Sequence, residues 1–265
     1  MTHQLNFNNY GLLKYRGYFY IQELSIEVCI WRAVLFEALL VKNSTEINQA
    51  LKGGANVVYY IKLEEHRMDR LEKQMEFLIE VDKLKKITRQ NYLADGSRKE
   101  NDAEHSWHLA LMAFVLCEYH RGEESIDVLK VIKMVLLHDV VEIDAGDTYC
   151  YDDDAALGQW EREREAAERL FNILPSDQAR DFRELWEEFE ERRTPEAQFA
   201  AALDRLQPLT LNYKAGGESW KEHQIALSQV LERNNSIEES SPELWNFACQ
   251  MIQEAVNRGY IRKDR

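Results

Sequence analysis

Cysteine is scarce. Cys29, Cys117, Cys150 and Cys249 are the only four in 265 residues, they lie far apart, and no CxxC pair occurs. A disulfide framework is therefore excluded as the basis of the fold, and reduced thiols in a cytoplasmic compartment are expected. Basic charge is also in deficit, with 33 Lys plus Arg against 47 Asp plus Glu, a formal charge of -14 and a pI near 5.1. A non-specific binder of nucleic acid polymers needs a basic stripe to displace counterions, so that class is disfavoured. Long uncharged apolar runs are absent too. The most apolar N-terminal stretch, YIQELSIEVCIWRAVLFEALLV, contains Glu23, Glu27, Arg32 and Glu37, and a span of about 20 residues rarely tolerates so many charges. No secretory signal is visible, and packed amphipathic structure is expected there rather than a membrane helix. Internal repeats of 20–50 residues are missing, which sets aside solenoids and propellers.

What remains describes a globular acidic protein. Hydrophobic residues make up 45% and charged residues 30% of the chain, enough apolar material at this length for a large core in one or two domains. Composition shifts near residue 68. Residues 1–67 hold no Asp and six Glu against seven Lys plus Arg, so nearly all the negative charge lies beyond them. A boundary is expected at 65–68, with an N-terminal extension over 1–67, broken near KGGAN (52–56), and a second domain over 68–265.

From Met68 the apolar residues Met68, Leu71, Met75, Leu78 and Ile79 recur at helical steps. Helices are expected over 68–86, 104–121, 125–143, 155–173, 178–192, 195–213, 219–232 and 242–257. Pro175, Pro195 and Pro242 stand near helix starts, where proline is tolerated. Strand-like alternation is confined to NVVYYIKL (56–63), and YLADGSRKEND (92–102) and EIDAGDTYCYDDD (142–154) read as loops. The class is all-α. Residues 152–193 carry 14 Asp plus Glu against seven Arg, a solvated helix face by pattern. Trp107, Trp160, Trp186, Trp220 and Trp245 fall on helical patterns and are expected in a core or an interface.

Against this background LLHDVVEIDAGD (136–147) is unusual, because it sets His138 and Asp139 side by side in an apolar run. A buried charge is costly unless it is paired or bound to a metal. Adjacent helical residues differ by about 100° in direction, so one ion reaches both only over the seam between them. Another helix must then close the coordination sphere, and His105 is the best-placed candidate. An acid in an otherwise apolar segment supplies a fourth group: Asp204, in FAAALDRLQPL (199–209), with alanines one turn before it that would leave space for an ion or substrate. Glu142 lies one α-helical turn beyond His138 and projects to the same side.

The order His105, His138-Asp139, Asp204 resembles the signature of the HD-domain superfamily of metal-dependent phosphohydrolases. ENDAEHSWHLALMA, LLHDVVEIDAGD and FAAALDRLQPL are similar to its 5′-deoxynucleotidase-like branch, over about residues 68–260. The resemblance implies an HD-domain helical bundle. It implies one divalent ion, Mn, Co, Fe, Zn or Mg, held by His105, His138, Asp139 and Asp204; no histidine between Asp139 and Asp204 suggests a second. It implies that Glu142 positions or deprotonates the attacking water, that Asp147 contacts a sugar hydroxyl after a turn at Gly146, and that Arg89 contacts the phosphate. Relatives carry an aromatic soon after that arginine; here Gln90 and Asn91 precede Tyr92. Arg98 is a second candidate for the phosphate. Glu104 is placed either to orient His105 or to cap its helix.

The expected activity is hydrolysis of a phosphomonoester, a (deoxy)nucleoside 5′-monophosphate above all, by a cytoplasmic homodimer without membrane or polymer partners. An HD hydrolase of a triphosphate or phosphodiester, or a metal-binding or nucleotide-binding sensor, are the alternatives. The first is disfavoured by the lack of clustered Lys or Arg in the sequence.

Overall fold

The computed structural model describes residues 13–15, 18–20, 54–122, 125–151 and 157–264, with side chains from residue 66 onward. The chain divides into two compact units, Met1–Asp69 and Arg70–Arg265. The first holds an antiparallel pair of short strands, β1 (Leu13–Tyr15) and β2 (Tyr18–Tyr20). Beyond Tyr20, the apolar run over 20–41 lies outside the described residues. Helix α1 (Gly54–Val81) takes in NVVYYIKL, which is helical and not strand-like.

The second unit is a helical bundle with one small hairpin. A 3-10 turn (Asp82–Lys86) leads into β3 (Thr88–Tyr92), which pairs antiparallel with β4 (Lys99–Asn101). This hairpin falls largely where a loop is expected from sequence. Its strands are too short and polar to show an alternating pattern, and Gly96, at φ +71°, supplies the tight turn between them. Then come α2 (Asp102–Leu116), α3 (Val128–Leu137), a 3-10 turn (His138–Val141), α4 (Glu142–Ala145) and α5 (Gln159–Phe171). They are followed by α6 (Ser176–Glu191), α7 (Pro195–Lys214), α8 (Glu218–Glu222), α9 (Leu227–Asn234), α10 (Ile237–Ser240) and α11 (Pro242–Asn257). The single helix expected over 219–232 is two, α8 and α9. The helix expected over 125–143 tightens at His138 into a 3-10 turn.

Local chemistry sets several of these starts. Asn101 and Glu104 form a reciprocal capping box on α2, each side chain accepting from the other's backbone N–H at 3.0 and 3.2 Å. Thr194 caps α7 and Ser241 caps α11, and both helices begin with proline, whose missing N–H costs nothing there.

Helix α7 is the centre of the bundle, packing against α2, α3, α6, α10 and α11. Phe199, Ala200, Ala202 and Leu203 of α7 are buried with Leu109 of α2, Val131 and Met134 of α3 and Ile252 of α11. A second apolar cluster joins Phe77, Leu84, Leu137, Val140, Ala167, Leu170, Phe171 and Trp186. The EREREAAER segment of α5 therefore buries one face, with Ala166 and Ala167 inside, while Arg169 pairs with Glu80 at 2.7 Å and with Asp144. The regular apolar stripe of α1 is helical but exposed: Met68, Leu71, Met75, Leu78 and Ile79 face solvent, and Phe77 makes the core contact, edge-on to Phe182 at 5.7 Å. Trp186 and Trp220 are buried as expected, whereas Trp107 and Trp160 are exposed. Among the described residues no helix is long and apolar enough to cross a membrane.

These placements separate two leucines of similar pattern. Leu170 is fully buried and Leu78 is 60% exposed. Leu170→Ala is expected to destabilise the fold by about 2–5 kcal/mol in urea titration, and Leu78→Ala by no more than about 0.5 kcal/mol. Equal losses would contradict this assignment of core and surface.

Candidate metal centre and its cavity

His105 lies in the first turns of α2 and has no exposure; His138 opens the 3-10 turn after α3; Asp139 follows it; Asp204 is midway along α7. The fold brings all four together. His105 Nε2 is 3.1 Å from Asp204 Oδ1 and 3.8 Å from Asp139 Oδ2, and His138 Nε2 is 3.0 Å from Asp139 Oδ1 and 3.7 Å from Asp204 Oδ1. One ligand atom each from His105, His138 and Asp139 fall within 4.8 Å of one another.

The imidazoles are oriented from behind. His105 Nδ1 meets the Gln207 side-chain oxygen at 3.0 Å, and His138 Nδ1 meets the Val135 carbonyl at 2.9 Å. Those acceptors require a proton on each Nδ1, so each ring, once neutral, presents its Nε2 lone pair to the shared space, the tautomer a metal-binding histidine needs. The His138 Nε2 is buried without a properly formed hydrogen bond. Two imidazoles and two carboxylates, converging through such atoms, suit a borderline-to-hard divalent cation. The cluster could thus hold a metal ion.

Sequence reasoning missed the supports. Gln207, 1% exposed, orients His105 and donates to Glu100 at 2.7 Å, while Glu100 also accepts from Asn91 at 2.9 Å. The hairpin delivers Asn91 and Glu100, so its function is to complete this network. The signal was available in part, since Gln207 follows Asp204 by three residues in an apolar helix. Asp102, fully buried, was also missed: Arg89 Nη1 donates to Asp102 Oδ1 at 3.1 Å and to Asp139 Oδ2 at 2.7 Å. Glu104 does not touch His105; it caps α2 and pairs with Arg98 at 2.5 Å, on the surface.

A cavity of about 460 Å³ opens beside the cluster and is lined by Arg89, His138, Asp139, Glu142, Asp147 and Asp204, with His105 behind the wall. Ala200, Ala201 and Ala202, expected to leave room for an ion, are instead packed in the core. The part of α7 that faces the cavity is C-terminal to them: Asp204, Arg205, Pro208, Leu209 and Asn212. Pro208 has no N–H to give the carbonyl four residues earlier, that of Asp204, so α7 runs on to Lys214 but lacks one backbone hydrogen bond at the site itself. Gly146, at φ +78°, makes the turn that carries Asp147 to the wall. Tyr92 does not line the cavity; its hydroxyl donates to Glu222 at 2.6 Å.

Charges in this volume oppose and sustain one another. Burial disfavours the His138 cation, yet Asp139 and Asp204 outweigh it and hold its pKa at about 10. Burial raises Asp139 and Asp204, but His138 and Arg89 pull Asp139 below the usual carboxylate range, and His105, His138 and Arg205 do the same for Asp204. Glu142 has only the opposing pull of Arg89, which does not prevail. Burial, then Asp139 and Asp102, push its carboxyl well above the usual range, and burial raises Asp147 against the pull of Arg89. Burial and Asp139 carry Asp102 to about 7, although Arg89 opposes them. The fold also gathers basic residues that are scattered in sequence: Arg192, Arg205 and Arg233 line the same cavity as Arg89. Burial lowers Arg205 to about 10; Asp204 opposes that fall, while Arg233 and Arg192 add to it.

Residues 81–245 match the HD domain family profile. The curated 5′-deoxynucleotidase HDDC2 of Bos taurus is 30% identical over 134 residues, which is 50% of this chain and 63% of that protein. The 5′-deoxynucleotidase hdd1 of Schizosaccharomyces pombe is 28% identical over 136 residues, 49% of this chain and 66% of that protein. The match to these curated relatives thus spans less than two thirds of their length. A crystal structure of a predicted metal-dependent phosphohydrolase from Magnetospirillum magnetotacticum MS-1 superposes with a TM-score of 0.70 at 49% identity, covering 73% of this chain and 96% of that one.

The raised pKa of His138 fixes how metal uptake responds to pH. In chelator-treated protein His138 keeps its proton up to about 10, and an ion needs the lone pair that proton occupies. The apparent affinity for Mn²⁺ is expected to rise about tenfold per pH unit between pH 7 and 9, with about one proton released per ion bound. Calorimetry in buffers of different ionisation enthalpy measures that number, and no proton release would remove His138 from the ligand set.

Proposed function

The chain belongs to the HD-domain family, and on that premise we propose that it is a metal-dependent phosphohydrolase cleaving a phosphomonoester, with (deoxy)nucleoside 5′-monophosphates as the substrate class. The carrying observation is the convergence of His105, His138, Asp139 and Asp204, with both Nδ1 atoms anchored, at the wall of a cavity that also holds Glu142 and Arg89. The curated relatives named 5′-deoxynucleotidases support the substrate class.

In this reading His105, His138, Asp139 and Asp204 hold one divalent ion. When bound, such an ion polarises a phosphoryl oxygen and lowers the pKa of water beside it. The protein's own groups do the rest. Arg89 is held by Asp102 and Asp139, and its buried Nε makes no hydrogen bond, so that donor remains for a phosphate oxygen. A guanidinium stabilises the negative charge that builds there as water attacks phosphorus. Glu142 Oε2 is buried with no partner, and it accepts a hydrogen bond, then the proton, from the attacking water. Burial and the neighbouring acids raise its pKa in the metal-free site; a cation held beside it would favour the carboxylate, the form that takes the proton of the water and returns it to the leaving oxygen. Asp147, across the same cavity, accepts from a sugar hydroxyl. His105 and His138, fixed by Gln207 and Val135, keep their Nε2 atoms aimed at the ion throughout.

Phosphate release, screened over nucleotides and sugar phosphates with several metals, tests the activity; no release from any of them would end it. Glu142→Gln is expected to lower kcat by about 10²–10⁴-fold with metal content unchanged. Arg89→Ala is expected to raise KM for the phosphate ester, and unaltered KM and kcat would reject its role.

A further inference from the structure

Arg192, Arg205 and Arg233 reach the cavity from three different helices. Arg192 follows the end of α6, Arg205 is next to Asp204 in α7, and Arg233 stands in the last turn of α9. Arg205 is engaged, because its Nη1 donates to Asp204 Oδ2 at 2.7 Å. Arg192 and Arg233 are not engaged: among the described residues neither side chain makes a hydrogen bond or an ion pair, and the Arg192 Nε is buried without a partner.

A basic residue at a helix C-terminus is commonly explained by the helix dipole. Both arginines hold such positions, but neither guanidinium bonds a terminal carbonyl. The Glu188 carbonyl at the end of α6 receives the Arg192 backbone N–H at 3.1 Å; at the end of α9 the Val230 carbonyl receives the Asn234 amide at 2.7 Å and the Leu231 carbonyl the Asn235 N–H at 2.9 Å. Arg192 also adopts φ 52°, ψ 35°, a conformation glycine would hold without strain. Glu163 and Glu190 also line the cavity, and Arg192 draws the Glu190 carboxyl down against the larger effect of burial without forming an ion pair with it. Glu163 accepts from Gln159 at 2.5 Å, and neither acid pairs with Arg192 or Arg233. Two uncommitted guanidinium groups on the wall of a cavity are donors that suit the oxygens of an anion. At about 460 Å³ the cavity is within the size range for a nucleotide-sized ligand.

We propose that Arg192 and Arg233 form a second anion subsite, so that among phosphate monoesters the site prefers one carrying another anionic group, phosphate or carboxylate, besides the one hydrolysed. This rests on the reading above, in which the scissile phosphate lies at the His-Asp cluster and Arg89. Arg205, neutralised by Asp204, separates the two subsites and keeps the acid oriented toward the histidines.

The test compares deoxyadenosine 5′-monophosphate with deoxyadenosine 3′,5′-bisphosphate and with a phosphoglycerate, for the unmodified chain and for Arg192→Gln, Arg233→Gln and Arg233→Lys, each checked by thermal unfolding. The ratio of kcat/KM for the better doubly anionic compound over the monophosphate is expected to be at least about tenfold, set mainly by KM. It should fall to within about threefold of unity in either Gln variant and largely survive in Arg233→Lys. The bisphosphate and the phosphoglycerate separate a phosphate from a carboxylate as the second group. A ratio near one in the unmodified chain, or one that persists in both Gln variants, overturns the proposal. If no compound releases phosphate, the phosphomonoesterase reading fails by itself, and the subsite is then judged from binding, followed by fluorescence of Trp160 and Trp220 in the cavity wall. Tighter binding of a doubly anionic compound that is lost in Arg233→Gln supports the subsite, and equal binding overturns it.

Discussion

The arrangement of this protein depends on keeping several ionisable groups together where their side chains are almost wholly buried. His105, His138 and Asp139 are 0–7% exposed, and a lone charge in such a place would shift its pKa and neutralise. None is alone. Asp139 takes Arg89 and His138, Asp204 takes Arg205 and His105, and each imidazole is held from behind by a neutral acceptor. Removing any one partner leaves another group buried and uncompensated, which is more damaging than the loss of one contact. The elements that supply these partners are therefore tied to one geometry.

That requirement accounts for features that look incidental in isolation. The β3–β4 hairpin is small and mostly polar, yet it supplies Arg89, Asn91 and Glu100, all facing the buried network. The 3-10 turn at His138–Val141 lets two consecutive polar residues, His138 and Asp139, share a front while Val140 and Val141 stay in the core. Helix α7 serves both purposes along its length: its N-terminal half is apolar packing, and from Asp204 onward it becomes cavity wall, with Pro208 at the change.

Under the proposed function the acidic chain has to accommodate an anionic substrate. The net charge of -14 would repel a phosphate ester, and the four arginines of the cavity share its wall with six carboxyl groups, so a bound cation would supply part of the attraction. Its arginines come from the hairpin, the end of α6, α7 and α9, so these donors come together only where those elements meet. The carboxylates in the same wall divide by their neighbours. Asp139 and Asp204, beside cations, stay ionised and suit ion binding, whereas Glu142, beside other acids, is driven toward its protonated form and suits proton transfer. Identical chemistry is split into two roles by environment.

Much of this was legible in one dimension. Periodicity and caps read as an all-helical second unit, because the signals for a helix and its ends are local. The four groups His105, His138, Asp139 and Asp204 stood out because a charged residue in an apolar run has to be explained by something. The hairpin, the break between α8 and α9 and the 3-10 turn were not legible, since short polar strands and changes of helical winding leave almost no periodic trace. Gln207, Asp102 and Glu100 read as ordinary polar residues, as partnership between distant positions has no local signature. Few basic residues cluster in the sequence, yet four arginines share one cavity. The sequence by itself determined the helices and the groups whose burial would need compensation. Only the tertiary structure decided which residues compensate them and which donors remain free, because hydrogen bonding and Coulombic balance depend on distance in space and not along the chain.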